Sequence, residues 1–210
     1  MARVLLLTTS EKGHLNPMMG VAQWLGRQGH EVGWTCLPSA PDYLTEMGIE
    51  PVPIELEEGD EDLATGGAEL AELVRDEERL YRWVRTLLLD GVDEQVGPMR
   101  QVLRDWQPDV LTTDPMIYAG IIAAHCEEIP YACVSSSLNP VTPEEIECAH
   151  ARNMQRLSED RRALFEKYGL SPRFRVADCL SPHLNAVFTT REYVGDVEVP
   201  PKTHLVGPSV

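Results

Sequence analysis

The chain reads as an α/β domain with a doubly wound, mainly parallel Rossmann-like sheet and helices on both faces. Three observations predict it. Short apolar, β-branched runs without alternation recur along the 210 residues, as expected of strands buried on both faces. Amphipathic helical stretches separate those runs. The first connections are short, and a β-α-β opening built that way implies parallel strands with a right-handed crossover.

Val4 to Thr8 is the first strand. Asn16 followed by Pro17 is a good helix start, with a side-chain acceptor at the cap and proline at the first helical position. Met18, Val21, Ala22 and Leu25 keep the helical period, and Gly29 ends it. Val32 to Cys36 is the second strand, and Val52 to Ile54 a short third one. The acidic run from Glu55 to Asp62 reads as a solvated loop. Leu80, Trp83, Val84, Leu87 and Leu88 then form one helical stripe. Val92, Val96, Met99, Leu103 and Trp106 form another, with Gly91 and Pro98 as bends or breaks. Asp109 to Thr113 is a fourth strand, Ile117 to Cys126 a helix, and Tyr131 to Ser135 a fifth strand. Glu144 to Tyr168 is amphipathic, with Ile146, Ala149, Met154, Leu157, Leu164 and Phe165 on one side. Ala186 to Phe188 and His204 to Val206 close the chain as late strands. No internal repeat and no low-complexity linker interrupts this order.

The net charge is −16, from 34 acidic and 18 basic residues. Nucleic acid and anionic membrane both demand a basic footprint, so neither is an expected partner. The five cysteines (Cys36, Cys126, Cys133, Cys148, Cys179) show no Cys-x-x-Cys spacing and are odd in number. They read as buried free thiols in a reducing cytosol. The N-terminal apolar run is too short for a signal-peptide core, and no run approaches a membrane span. The expectation is a cytoplasmic protein, not an integral membrane one.

Ligands of such sheets bind outside the carboxyl ends of the strands, where strand order reverses. In a 3-2-1-4-5 order, the first and fourth strands are neighbours across that point. His14 follows the first strand and Asp114 follows the fourth, so topology carries both to one crevice. A neutral imidazole is a good general base near neutral pH. A carboxylate on its other nitrogen fixes the tautomer and stabilises the imidazolium that forms. It also offsets the nearby helix N-terminus, which disfavours imidazolium. No metal-ligand set accompanies the pair. Taken singly, His14 reads equally as a turn residue and Asp114 as the start of a turn before proline; their joint placement carries the functional reading.

The first turn holds only Gly13, with Gly20 further on. Neither a G-x-G-x-x-G nor a G-x-x-x-x-G-K-[ST] motif occurs, which disfavours dinucleotide and P-loop readings. Ser135, Ser136 and Ser137 follow the fifth strand on the same edge. Their hydroxyls either bond a sugar or phosphate or simply form a small polar turn.

The segment GHLNPMMGVAQWLGRQGHEV resembles the N-terminal signature of the family-one inverting glycosyltransferases of GT-B fold. That family includes macrolide and carotenoid glycosyltransferases and the UDP-glycosyltransferases. QPDVLTTDPMIYAGIIAAHCEEIPYACVSSS resembles its next hallmark, and THLVGPSV resembles the family's exit from its first domain. The resemblance implies that residues 1–210 form the N-terminal acceptor domain, without the C-terminal domain that holds the donor. It implies sugar transfer from a nucleotide sugar (UDP- or TDP-linked) to a hydroxyl of a small, apolar acceptor, with no cofactor. His14 would be the base and Asp114 its partner. The loop of Ser135, Ser136 and Ser137 would lie near the donor, through Ser136 or Ser137, Gly13 would be a further substrate-binding residue, and Trp83, Met116 and His150 would line the acceptor site. Half an enzyme of this kind would be inactive alone, since donor positioning supplies much of the acceleration. A non-catalytic small-molecule-binding or regulatory module, paired with a separate donor-binding subunit, is the alternative.

Overall fold

The computed structural model describes residues 1–37, 43–56, 71–143 and 145–208. A parallel sheet of seven strands has the order β3-β2-β1-β4-β5-β8-β9. These are β1 (Arg3–Thr9), β2 (Glu31–Leu37), β3 (Glu50–Pro51), β4 (Val110–Thr113), β5 (Tyr131–Ser135), β8 (Leu184–Val187) and β9 (Thr203–Leu205). The order contains the expected 3-2-1-4-5 core, with β1 and β4 side by side and Leu7 opposite Thr113. A separate antiparallel hairpin, β6 (Arg173–Arg175) with β7 (Asp178–Leu180), was not legible as strands in the sequence.

Alternate residues of β1 feed two cores, as the pleat requires. Leu5 and Leu7 join Met99, Leu103, Ile121 and Ile122 on one face. Val4 and Leu6 join Leu15, Met18 and Trp34 on the other. Helix α1 (Lys12–Arg27) supplies the second face. Helices α4 (Val92–Trp106) and α5 (Tyr118–Cys126) supply the first, with α3 (Glu77–Leu88) packed into the same core. Short helices α2 (Tyr43–Glu46) and α8 (Arg191–Val194) complete the set with α6 (Ala149–Arg156) and α7 (Ser158–Lys167). At Gly120 helix α5 comes so near the sheet that a Cβ would stand 2.2 Å from Leu7 Cδ2.

Several expectations need correction. Helix α1 begins at Lys12, five residues before Pro17, so His14 lies in its first turn. Pro17 is tolerated because the bond it forfeits is the one to the carbonyl of Gly13, and Gly13 is exposed. The third strand is Glu50–Pro51 rather than Val52 to Ile54. The Val52 carbonyl is taken by the Thr35 hydroxyl at 3.0 Å, which ends the ladder. Glu144 lies outside the described residues, and the late amphipathic stretch is two helices, Ala149–Arg156 and Ser158–Lys167, meeting at Leu157. There Arg161 Nη2 donates to the Met154 carbonyl at 3.2 Å, in place of the next turn's amide. Ile146 is exposed instead of lying on the buried side. Gly91 does separate two helices, with φ 78°, whereas α4 runs on through Pro98. Cys36, Cys133 and Cys179 are buried free thiols, but Cys126 is half-buried and Cys148 exposed. Most of the acidic run, residues 57–62, lies outside the described residues.

Candidate active site

Near the end of strand β1, the Thr8 hydroxyl accepts the buried Trp34 indole N–H at 2.9 Å. The chain then turns directly into α1, where Glu11 O accepts the amides of His14 and Leu15 at 3.0 and 2.9 Å. Leu15 and Met18 bury the inner face of the helix against the sheet. His14 therefore projects at the carboxyl edge, its side chain 21% exposed.

Asp114 arrives from the other side of the switch point. Its amide donates to Leu7 O at 3.1 Å, extending the β1–β4 ladder by one residue. Its Oδ1 accepts the Met116 amide at 2.9 Å, a local turn that leaves Oδ2 free. Oδ2 lies 2.6 Å from His14 Nδ1. A buried carboxylate at that distance assigns the imidazole proton to Nδ1 and leaves Nε2 unprotonated in the neutral ring. Nε2 has no hydrogen bond among the described residues; the nearest charge is Glu11 Oε2 at 3.8 Å. The bond to Asp114 holds the His14 pKa above its usual 6.5, against the opposing effect of burial. Further charge from Asp114, Glu11 and Asp178 adds to the rise. The carboxylates outweigh burial, so the ring is a stronger base than a free histidine.

The three serines play different parts. Ser136 Oγ lies 3.2 Å from His14 Nδ1 and is half-buried. Ser135 is buried, and its hydroxyl donates to Asp178 Oδ2 at 2.6 Å, so it faces the protein. Ser137 Oγ accepts the Asn139 amide at 3.1 Å and shares a contact with Ser135 Oγ. Gly13 is exposed, with open space where a side chain would stand. Met116 and Trp83 are partly buried against the larger core. His150, on α6, is half-buried, and burial followed by the Arg161 charge lowers its pKa. Among the described residues, no hydrogen bond or ion pair joins Trp83 or His150 to the His14–Asp114 pair.

Sequence reasoning missed Asp178. It is fully buried, and its Oδ1 accepts the Asn139 side-chain amide at 2.6 Å. Burial first, and the charge of Asp114 second, push its pKa up to about 7. The available signal was an acid inside the apolar run VADCL, since a buried acid needs partners. Two surface hollows lie at the opposite, amino edge of the strands, against Arg104 and Gln107 and against Gln23 and His30; neither touches His14.

The fold and the site define an α/β protein with a histidine–aspartate pair at the switch point of its sheet. The chain matches no protein-family model. It is 27% identical over 143 residues to 4'-demethylrebeccamycin synthase of Lentzea aerocolonigenes, covering 65% of this chain and 33% of that protein. It is 29% identical over 141 residues to tylactone mycaminosyltransferase of Streptomyces fradiae, covering 59% and 31%. Among solved structures, the kitacinnamycin glycosyltransferase superposes with a TM-score of 0.69 at 21% identity, over 99% of this chain and 51% of that one. A Streptomyces sp. SF2575 glycosyltransferase complexed with thymidine diphosphate superposes with a TM-score of 0.54 at 20% identity, over 89% and 49%. The chain is thus a relative of antibiotic and macrolide glycosyltransferases, and its sheet has the architecture of one half of a GT-B fold. It spans about a third of these curated relatives and about half of these structures.

Proposed function

We propose that residues 1–210 form the acceptor-binding half of an inverting glycosyltransferase, with His14 as general base. The observation that carries this is the 2.6 Å contact between His14 Nδ1 and Asp114 Oδ2 at the sheet's switch point. It leaves an unprotonated Nε2 outside the carboxyl edge. In the reaction, Nε2 takes the proton of an acceptor hydroxyl as that oxygen attacks the anomeric carbon. The new C–O bond forms as the bond to the diphosphate breaks. The nucleoside diphosphate leaves with the electron pair, and the anomeric configuration inverts. Asp114 holds the tautomer and balances the imidazolium.

The acceptor, a small apolar molecule bearing a hydroxyl, sits over this half, with Met116, Trp83 and His150 as candidate lining residues. The donor is a nucleotide sugar; kinship with a glycosyltransferase complexed with thymidine diphosphate supports a TDP- or UDP-sugar. A second domain of the complete protein holds the donor, with Gly13, Ser136 and Ser137 on the near side. Ser135 supports that loop from beneath. The five unpaired cysteines fit a reducing cytosol.

The test is turnover of the complete enzyme with a hydroxyl-bearing macrolide acceptor. His14→Ala is expected to lower kcat by about 10²–10⁴-fold with little change in KM, the loss typical of a general base. Turnover near that of the wild type would remove His14 from the reaction. Residues 1–210 alone are expected to give no detectable transfer, and to regain it when the donor domain is supplied.

A further inference from the structure

Asp178 is the buried acid that this reaction scheme leaves without a task. Its place is set by three ties. Ala177 O accepts the Tyr118 hydroxyl from α5 at 2.6 Å. The Cys179 amide donates to Pro115 O, next to Asp114, at 3.0 Å. Cys133 Sγ, on β5, contacts Cys179 O at 3.3 Å. The β6–β7 hairpin is therefore stitched to the ends of β4, β5 and α5, and Asp178 faces inward between them. Its two oxygens hold the Ser135 hydroxyl and the Asn139 amide, both at 2.6 Å. Those residues bracket the turn that carries Ser136 to His14.

We propose that Asp178 is a positioning residue for His14, acting through the Ser135–Asn139 turn and through the charge it adds beside the His14–Asp114 pair. Two oxygens gripping both ends of a five-residue turn fix the Ser136 hydroxyl, which lies 3.2 Å from His14 Nδ1. The second route is electrostatic. The ionisable groups that face Asp178 are Asp114, His14, Tyr118, Cys133 and Cys179. Arg161 on α7 and Arg175, which stands opposite Asp178 in the hairpin register, are permanent cations among the described residues; Arg161 donates to Val176 O and Arg175 to Thr142 O. Among the facing groups, only His14 gains a positive charge. A negative Asp178 favours the imidazolium, and the imidazolium favours a negative Asp178; the coupling is reciprocal.

This inference rests on His14 as the working base, and its decisive measurement does not depend on turnover. The His14 imidazole is titrated by NMR in the full chain, as wild type, Asp178→Asn and Asp178→Ala. Asparagine removes the charge; its Oδ1 can still accept the Asn139 side-chain amide, while its NH2 can only donate, so the Ser135 hydroxyl must turn to accept from it. The substitution is expected to lower the His14 pKa by roughly half a unit or more. Alanine is expected to lower it further and to broaden the Ser136 amide signal, because the turn loses its grip. Ser135→Ala, which keeps the carboxylate, serves if either variant fails to fold; it is expected to move the Ser136 amide signal and shift the His14 titration. An Asp178→Asn titration that overlays the wild type overturns the electrostatic half. Unchanged Ser136 signals in Asp178→Ala, or in Ser135→Ala where that variant serves, overturn the positional half. A moved titration with undiminished turnover in His14→Ala would instead sink the proposed reaction and leave the coupling standing.

Discussion

His14 is tuned by carboxylates that lie far apart in the sequence. Its pKa is raised chiefly by the bond to Asp114, so the folded chain favours the imidazolium. That contribution to stability is fully present below the unfolded value of 6.5 and is lost as pH rises through the raised folded value. Asp178 acts in the same direction for another reason. Its folded value of about 7 stands above the ordinary 3.8, so the fold favours the neutral carboxyl. Its contribution is lost as pH climbs from 3.8 to about 7. The urea midpoint is therefore expected to fall as pH climbs from 3.8 to about 7 and on through the raised His14 value. Asp178→Asn should flatten the acid side of that fall, because an amide cannot ionise. A midpoint that rises with pH across this interval would show that neither group governs it.

The supporting elements have a weak point where no sequence pattern marks one. Helices α6 and α7 read as one amphipathic run, because their apolar residues keep the helical period across Leu157. The junction is made by the guanidinium of Arg161, 6% exposed, which bonds Met154 O and Val176 O at 3.2 and 2.6 Å. It also stacks over the Phe174 ring of the hairpin at 4.4 Å. Arg161→Ala strands the buried Met154 carbonyl and the partly buried Val176 carbonyl, and cuts one of the links to the hairpin that carries Asp178. The expected loss is at least about 2 kcal/mol in chemical denaturation. A loss near zero would mean that the two helices hold the hairpin without it. The hairpin hid for a related reason. Its strands have three residues each, too few for any periodicity to register, and long-range ties to Tyr118 and Pro115 fix them.

The whole molecule rests on one sheet sandwiched between two cores. Leu6 and Leu7 are adjacent, both fully buried, and belong to opposite cores. Leu6→Ala and Leu7→Ala are each expected to cost about 2–5 kcal/mol. Each should shift a single unfolding transition, because both faces share β1. Two transitions in either variant would show that the faces fold separately.

At this scale the sequence determined a good deal. Apolar strands without alternation required a sheet covered on both faces. Short early connections required parallel strands, and the switch-point rule then brings His14 and Asp114 together. These are properties of periodicity and chain connectivity, which one sequence carries in full. The start of α1, the division at Leu157 and the role of Asp178 were decided only in three dimensions. The last two depend on where a side chain finds a partner distant in sequence: Asp178 on Ser135 and Asn139, Arg161 on Val176. Local patterns report which face of an element is buried. The proton affinity of a buried group is set by the charges and donors around it, and those are assembled only when the chain folds.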